Sequence, residues 1–133
     1  MKKIVGLGAC VYDTLIDCDL YPKEDTKKRA ENIIVSGGGP VGNALVVASK
    51  LGASTYVIGS FADDDGGKYL LADFVKYGVN VDGVSVQNGK KSFCSFILLS
   101  KESGTRTCVF DRGASLNAAT DAYCAIEQAL LVV

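Results

Sequence analysis

Short apolar runs and helical spacings alternate along the chain, and each change of period marks an element. Lys3 to Gly8 is an apolar run closed by glycine and predicts a buried central strand. Cys10 to Tyr21 sets Asp13, Asp17 and Asp19 against Val11, Leu15, Ile16 and Leu20, which suits a loop plus a partly exposed strand. Arg29 to Ser36 predicts another strand. From Pro40 to Leu51, the residues Val41, Ala44, Leu45, Ala48 and Leu51 recur at helical spacing, and Gly52 stands where such a helix ends. Thr55 to Ile58 returns to strand, so Ile33 to Ile58 reads as strand, helix and strand in succession.

Asp64, Asp65, Gly66 and Gly67 then cap a helix expected over roughly Lys68 to Lys76, with a mixed face of Tyr69, Leu70, Ala72, Asp73 and Phe74. Asp63, Asp64 and Asp65 read as turn and N-cap residues in preference to substrate or metal ligands. Tyr77 to Val81 turns the chain. Three β-rich runs follow, Gly83 to Val86, Ser92 to Leu99 and Thr107 to Phe110, the last two separated by the hairpin-type turn at Ser103 and Gly104. Thr120 to Gln128 predicts a short helix. The apolar run from Ala129 to Val133 has the character of a parallel strand buried on both faces. Such a strand needs neighbours and helices beyond those counted here, so the expectation is an N-terminal part of a larger α/β domain.

Composition narrows the class. With 133 residues, 48% hydrophobic and 22% charged, the chain suits one soluble globular domain or part of one. A net charge of −1 with interspersed signs does not imply nucleic acid; Lys27, Lys28 and Arg29 read as a solvated run. No apolar run approaches the ~20 residues of a membrane span. The chain enters Ile4, Val5 and Gly6 directly after two lysines, without the pattern of a signal peptide, and a cytoplasmic location is expected. Five widely spaced cysteines without a C-x-x-C motif read as reduced packing residues. The absence of histidine excludes a His-based triad or metal site.

The most telling stretch runs from Ser36 to Gly52, where a glycine turn opens a helix with Asn43 in its first turn. Glycines let the backbone approach a ligand, Pro40 fits the first helical position, and the unpaired N–H groups of the first turn favour electron-rich oxygens. Gly37 and Gly42 have P-loop spacing, but Asn43 and Ala44 stand where a P-loop needs Lys and Ser or Thr. Gly37, Gly39 and Gly42 also satisfy the dinucleotide pattern G-x-G-x-x-G, although no acid closes the next strand to hold a ribose hydroxyl. A dinucleotide segment of an FAD- or NAD-dependent oxidoreductase therefore stays open as an alternative.

An ordered series of motifs resembles the PfkB carbohydrate kinase family, the ribokinase-like sugar kinases. Gly8 to Asp13 resembles its strand, glycine and aspartate. Pro22 with Asp25 and Thr26 resembles its approach to the lid. Gly38, Gly39, Val41 and Asn43, with Lys50, Leu51 and Gly52 at the helix end, resemble its Gly-Gly and Asn signature. Gly59, Asp63, Asp64 and Gly67 follow its glycine and aspartate element, and Gly78 to Asn80 its Gly-Val-Asp turn. Ser95 to Ile97 with Gly104 to Thr107 resembles its strand pair. Val41, Leu45 and Ala62 depart from the usual small residues. The family's catalytic Gly-Ala-Gly-Asp does not occur in these 133 residues.

The resemblance implies a ribokinase-like α/β fold: a mostly parallel sheet flanked by helices, with a small β-sheet lid from strands at about 14–36 and 83–110 inserted among the core elements. It implies that residues 1–133 are the acceptor-binding and lid portion of an ATP-dependent kinase acting on a sugar hydroxyl, inactive alone. Asp13 would accept hydrogen bonds from two adjacent sugar hydroxyls, Gly38 and Gly39 would admit the sugar to the backbone, and Asn43 would bind another hydroxyl. Arg106 would approach the substrate or a partner lid. The residues alone leave open Asp13 as a turn cap, Asn43 as a helix-end hydrogen bonder and Arg106 as a solvated hairpin arginine. ATP, Mg2+ and a monovalent cation come with the family, their ligands expected outside this chain. Free lid edges also suit a homodimer, or a non-catalytic dimerisation module as a further alternative.

Overall fold

The computed structural model describes residues 3–114, 126 and 129–133. Two four-stranded sheets organise the described residues. The larger has the order β5 (Asn80–Gln87), β4 (Ser54–Ala62), β1 (Lys3–Leu7) and β8 (Ala129–Val132), all parallel. Helices α1 (Pro40–Lys50) and α2 (Asp65–Lys76) cover one face. There Cys10, Leu45, Val57, Phe61, Leu70, Phe74 and Val79 form the main apolar cluster. Alternation along β4 sends Tyr56 and Ile58 to the opposite face, where they meet Val5, Ile126 and Ala129.

Local chemistry explains α1 and α2. Pro40 occupies the start of α1, and Leu45 is fully buried against β1. A Cβ on Gly6 would lie 2.5 Å from the Leu45 side chain, so glycine allows the helix to sit directly on the strand. Of the expected apolar stripe, Ala44 and Leu51 are exposed. Helix α2 begins at Asp65, earlier than its apolar spacing suggests, because the Asp64 side chain accepts a hydrogen bond from the Gly67 N–H at 2.8 Å.

The smaller sheet has the order β3 (Asn32–Gly38), β2 (Val11–Cys18), β6 (Cys94–Ser100) and β7 (Thr105–Asp111). Its β2 and β6 are parallel and both outer pairs antiparallel. The β6–β7 turn uses Gly104 at φ 66°.

Two expectations are corrected. The run Gly83–Val86, assigned from sequence to the lid, lies in β5 and pairs in parallel with β4 in the larger sheet. A β-rich run declares a strand but not its partner; the α2 crossover returns this one beside β4. Likewise β3 and β4 lie in different sheets, so β3, α1 and β4 do not form the parallel unit a dinucleotide turn requires. That removes the oxidoreductase alternative. Cys10, Cys18, Cys94 and Cys108 are free thiols. Cys124 and, apart from Ile126, the helix expected over Thr120–Gln128 lie outside the described residues. No helix among the described residues is long and apolar enough to cross a membrane.

Candidate functional site

The register of the small sheet places Asp13 between Ser36 on β3 and Ser95 on β6. Its Oδ1 accepts a hydrogen bond from the Ser95 hydroxyl. Its Oδ2 lies where Gly38 carries no side chain: a Cβ there would be 1.9 Å from that oxygen. Gly39 follows at φ 85°, and a Cβ on it would approach the Ala9 carbonyl oxygen to 2.5 Å. The two glycines thus answer two different close approaches, one to a carboxylate and one to the β1–β2 connection.

Asn43 begins the helical ladder, its N–H donating to the Gly39 carbonyl at 3.0 Å. Its side-chain amide is exposed and has no hydrogen-bond partner among the described residues. Asn43 and Gly38 wall one cavity of about 300 Å³ that runs between α1 and α2 past Tyr69 and Asp73. Asp13 stands behind Gly38 and does not line this cavity itself. Gly38, Gly39 and Asn43 thus share the turn that opens α1, and Asp13 on β2 meets that turn through Gly38. Arg106 is elsewhere, exposed on β7 opposite Leu99 and on the wall of neither cavity.

The larger cavity, about 570 Å³, opens at the carboxyl ends of β1 and β4 and reaches the small sheet. Gly8, Cys10, Ser60, Phe93, Phe110 and Arg112 contribute to its wall. Carboxyl ends of parallel strands are where α/β folds place ligands. Burial pushes the Cys10 thiol up to about 12, so it stays protonated and apolar at neutral pH. Arg112 was not singled out from sequence. The available signal was a cation directly before Gly113 at the end of a β-rich run, but nothing in the pattern says that β7 ends at a cavity.

Below this cavity, Asp64 receives three hydrogen bonds: from the Gly67 N–H at 2.8 Å, the Ser92 N–H at 2.8 Å and the Ser92 hydroxyl at 2.7 Å. Burial raises its pKa, and these donors outweigh that effect and hold the carboxyl below its ordinary value. Asp63 accepts from the Gly89 N–H at 3.0 Å. Both acids do the turn and cap work expected of them. Among the described residues no three acid, cysteine or histidine side chains converge to hold a cation.

The sequence profile of the pfkB family carbohydrate kinase matches residues 1–133. The chain belongs to that family. Ketohexokinase of Mus musculus is 34% identical over 108 residues, covering 81% of this chain and 36% of the relative. Ribokinase of Dictyostelium discoideum is 33% identical over 100 residues, covering 75% of this chain and 31% of the relative. This PfkB chain thus spans about a third of the length of these curated relatives. Among solved structures, Arabidopsis thaliana ribokinase complexed with ribose and ATP superposes with a TM-score of 0.82 at 23% identity, covering 98% of this chain and 44% of that one. Giardia lamblia ribokinase gives 0.74 at 21%, covering 86% and 37%. At these identities the likeness carries the fold, which is ribokinase-like: a helix-flanked parallel sheet with a second, small sheet.

Proposed function

We propose that this PfkB chain is the acceptor-binding and lid portion of an ATP-dependent carbohydrate kinase, whose reaction moves the γ-phosphate of ATP to a sugar hydroxyl. The observation that carries the reading is the Asp13 carboxylate seated against Gly38, in the turn that leads into α1 and its open Asn43 amide. An ionised carboxylate only accepts hydrogen bonds, so it suits a pair of adjacent sugar hydroxyls. Asn43 offers both a donor and an acceptor to a third, and Gly38 and Gly39 admit the ligand to the backbone. The small sheet acts as the lid that limits water around the acceptor. Arg112 supplies a positive charge on the wall of the larger cavity, suited to a phosphate-bearing reactant.

ATP supplies the transferred phosphoryl group, and Mg2+ and a monovalent cation come with the family. The described residues offer no converging donor set for a cation. The main role proposed for this chain is to hold and orient the acceptor, which lowers the entropic part of the barrier.

Calorimetric titration of ribose and fructose into the wild-type chain, Asp13→Asn and Asn43→Ala tests the reading. Loss of a hydrogen bond to a charged group predicts roughly 10- to 100-fold weaker binding for Asp13→Asn. Absence of sugar binding by wild type, or unchanged affinity in both variants, would overturn it.

A homodimer through the lid is part of the same proposal, and one row of the small sheet favours it. Val35, Thr14, Phe96 and Val109 lie side by side across all four strands, with Phe96 51% and Val109 63% exposed. Among the described residues nothing pairs with either edge, β3 or β7. Sedimentation should show a dimer that Phe96→Ser dissociates; a monomer at high concentration would refute it.

A further inference from the structure

The chain passes between the two sheets at places that are built in opposite ways. At one, the β1–β2 connection at Ala9 lies against Gly39 between β3 and α1. The contacts are backbone ones: Gly39 fits against the Ala9 carbonyl, and the Gly42 N–H reaches that carbonyl at a long 3.5 Å. At the other, the β5–β6 connection at Lys91 and Ser92 lies against Gly113 and Ala114 beyond β7. Here the Ala114 N–H donates to the Lys91 carbonyl at 2.7 Å, and a Cβ on Gly113 would come within 2.3 Å of that oxygen.

This second crossing is tied to the larger sheet by side chains. Ser92 is 2% exposed; its hydroxyl donates to Asp64 and accepts from the Ala62 N–H at the end of β4 at 3.1 Å. Asp64 holds the Ser92 N–H with its other oxygen while capping α2. One carboxylate and one hydroxyl therefore join the end of β4, the start of α2 and the approach to β6. The segments they hold continue directly into Phe93 and, through Lys91 and Gly113, into Arg112, both on the wall of the larger cavity.

We infer that Asp64 and Ser92 form the fixed pivot of the small sheet, with the glycine-lined crossing at Ala9 and Gly39 as the yielding side, so that the pair sets the distance of Phe93 and Arg112 from the larger sheet. Rotation about a pivot needs one anchored and one compliant connection, and the two crossings differ in that way. Asp64 and Ser92 are positioning residues: neither is on the wall of the two cavities described above.

Asp64→Asn separates the pivot from the helix cap. Asparagine caps a helix as well as aspartate does. Its carbonyl keeps the acceptor for Gly67, while its NH2 places a donor against the Ser92 N–H. Hydrogen exchange on the full chain, wild type beside Asp64→Asn and Ser92→Ala, reads the result without any ligand, so it stands apart from the sugar-site reading. The expected outcome is exchange about tenfold or more faster in β6, β7 and residues 112–114, with α2, β1 and β4 short of Ala62 as in wild type. An even increase over both sheets would overturn the pivot, and so would an unchanged small sheet. Loss of folding in both variants overturns it as well, because a pair that only positions the small sheet leaves the larger one standing.

Discussion

The two sheets of this chain are made of similar residues and live in different surroundings. β4 reads Ser-Thr-Tyr-Val-Ile-Gly-Ser-Phe-Ala and is buried along most of its length, whereas β7 reads Thr-Arg-Thr-Cys-Val-Phe-Asp and is exposed throughout. Both carry β-branched and aromatic residues, so strand propensity does not separate them. Helices do: α1 and α2 cover the face of β4 that carries Val57 and Phe61, and no helix among the described residues packs on β7. Stability is concentrated where burial is, and the exposed β7 carries less of it than β4.

The sharpest way to test that contrast is a cavity in the larger sheet. Leu45→Ala removes a fully buried side chain from the α1–β1 contact and should cost about 2–5 kcal/mol in a urea melt. Gly38→Ala acts at the joint between the sheets. The added methyl displaces the Asp13 carboxylate, and titration should show ribose or fructose affinity reduced by about tenfold or more.

A pH titration sharpens the role of the joint. Asp64 has a folded-state pKa below its unfolded value, so its contribution to stability is complete above that unfolded value, about 4. The contribution is lost as pH falls through the folded pKa. Wild type should therefore lose stability below about pH 4, and Asp64→Asn should show a shallower loss in thermal melts over that window. The smallest effect is expected on the exposed face: Phe96→Ser should change the stability of the single chain by no more than about 0.5 kcal/mol. A change as large as that of Leu45→Ala would erase the distinction between the sheets.

Several site features were legible in the chain because they are local. Asp64 followed by Gly67 announces a cap whatever the surroundings, and the glycines before Pro40 announce a turn that opens a helix. The Gly38 requirement was legible only as a permissive backbone position; that the permission serves the Asp13 carboxylate depends on β2 and β3 lying side by side. Ser92 gave no signal and Arg112 only its place before Gly113, since a serine in a polar loop and an arginine after a strand are ordinary until the fold brings them to Asp64 and to a cavity.

The sequence by itself determined where strands, helices and turns occur, because periodicity, caps and glycine positions act over a few neighbouring residues. It also carried the family signature, as an ordered set of local motifs. The tertiary structure alone decided where β5 pairs, sending to the larger sheet a run that the resemblance had placed in the lid. It also decided which polar groups converge on Asp13 and Asp64. Those outcomes depend on pairing between residues far apart in the chain, through hydrogen bonds and burial that no short window contains.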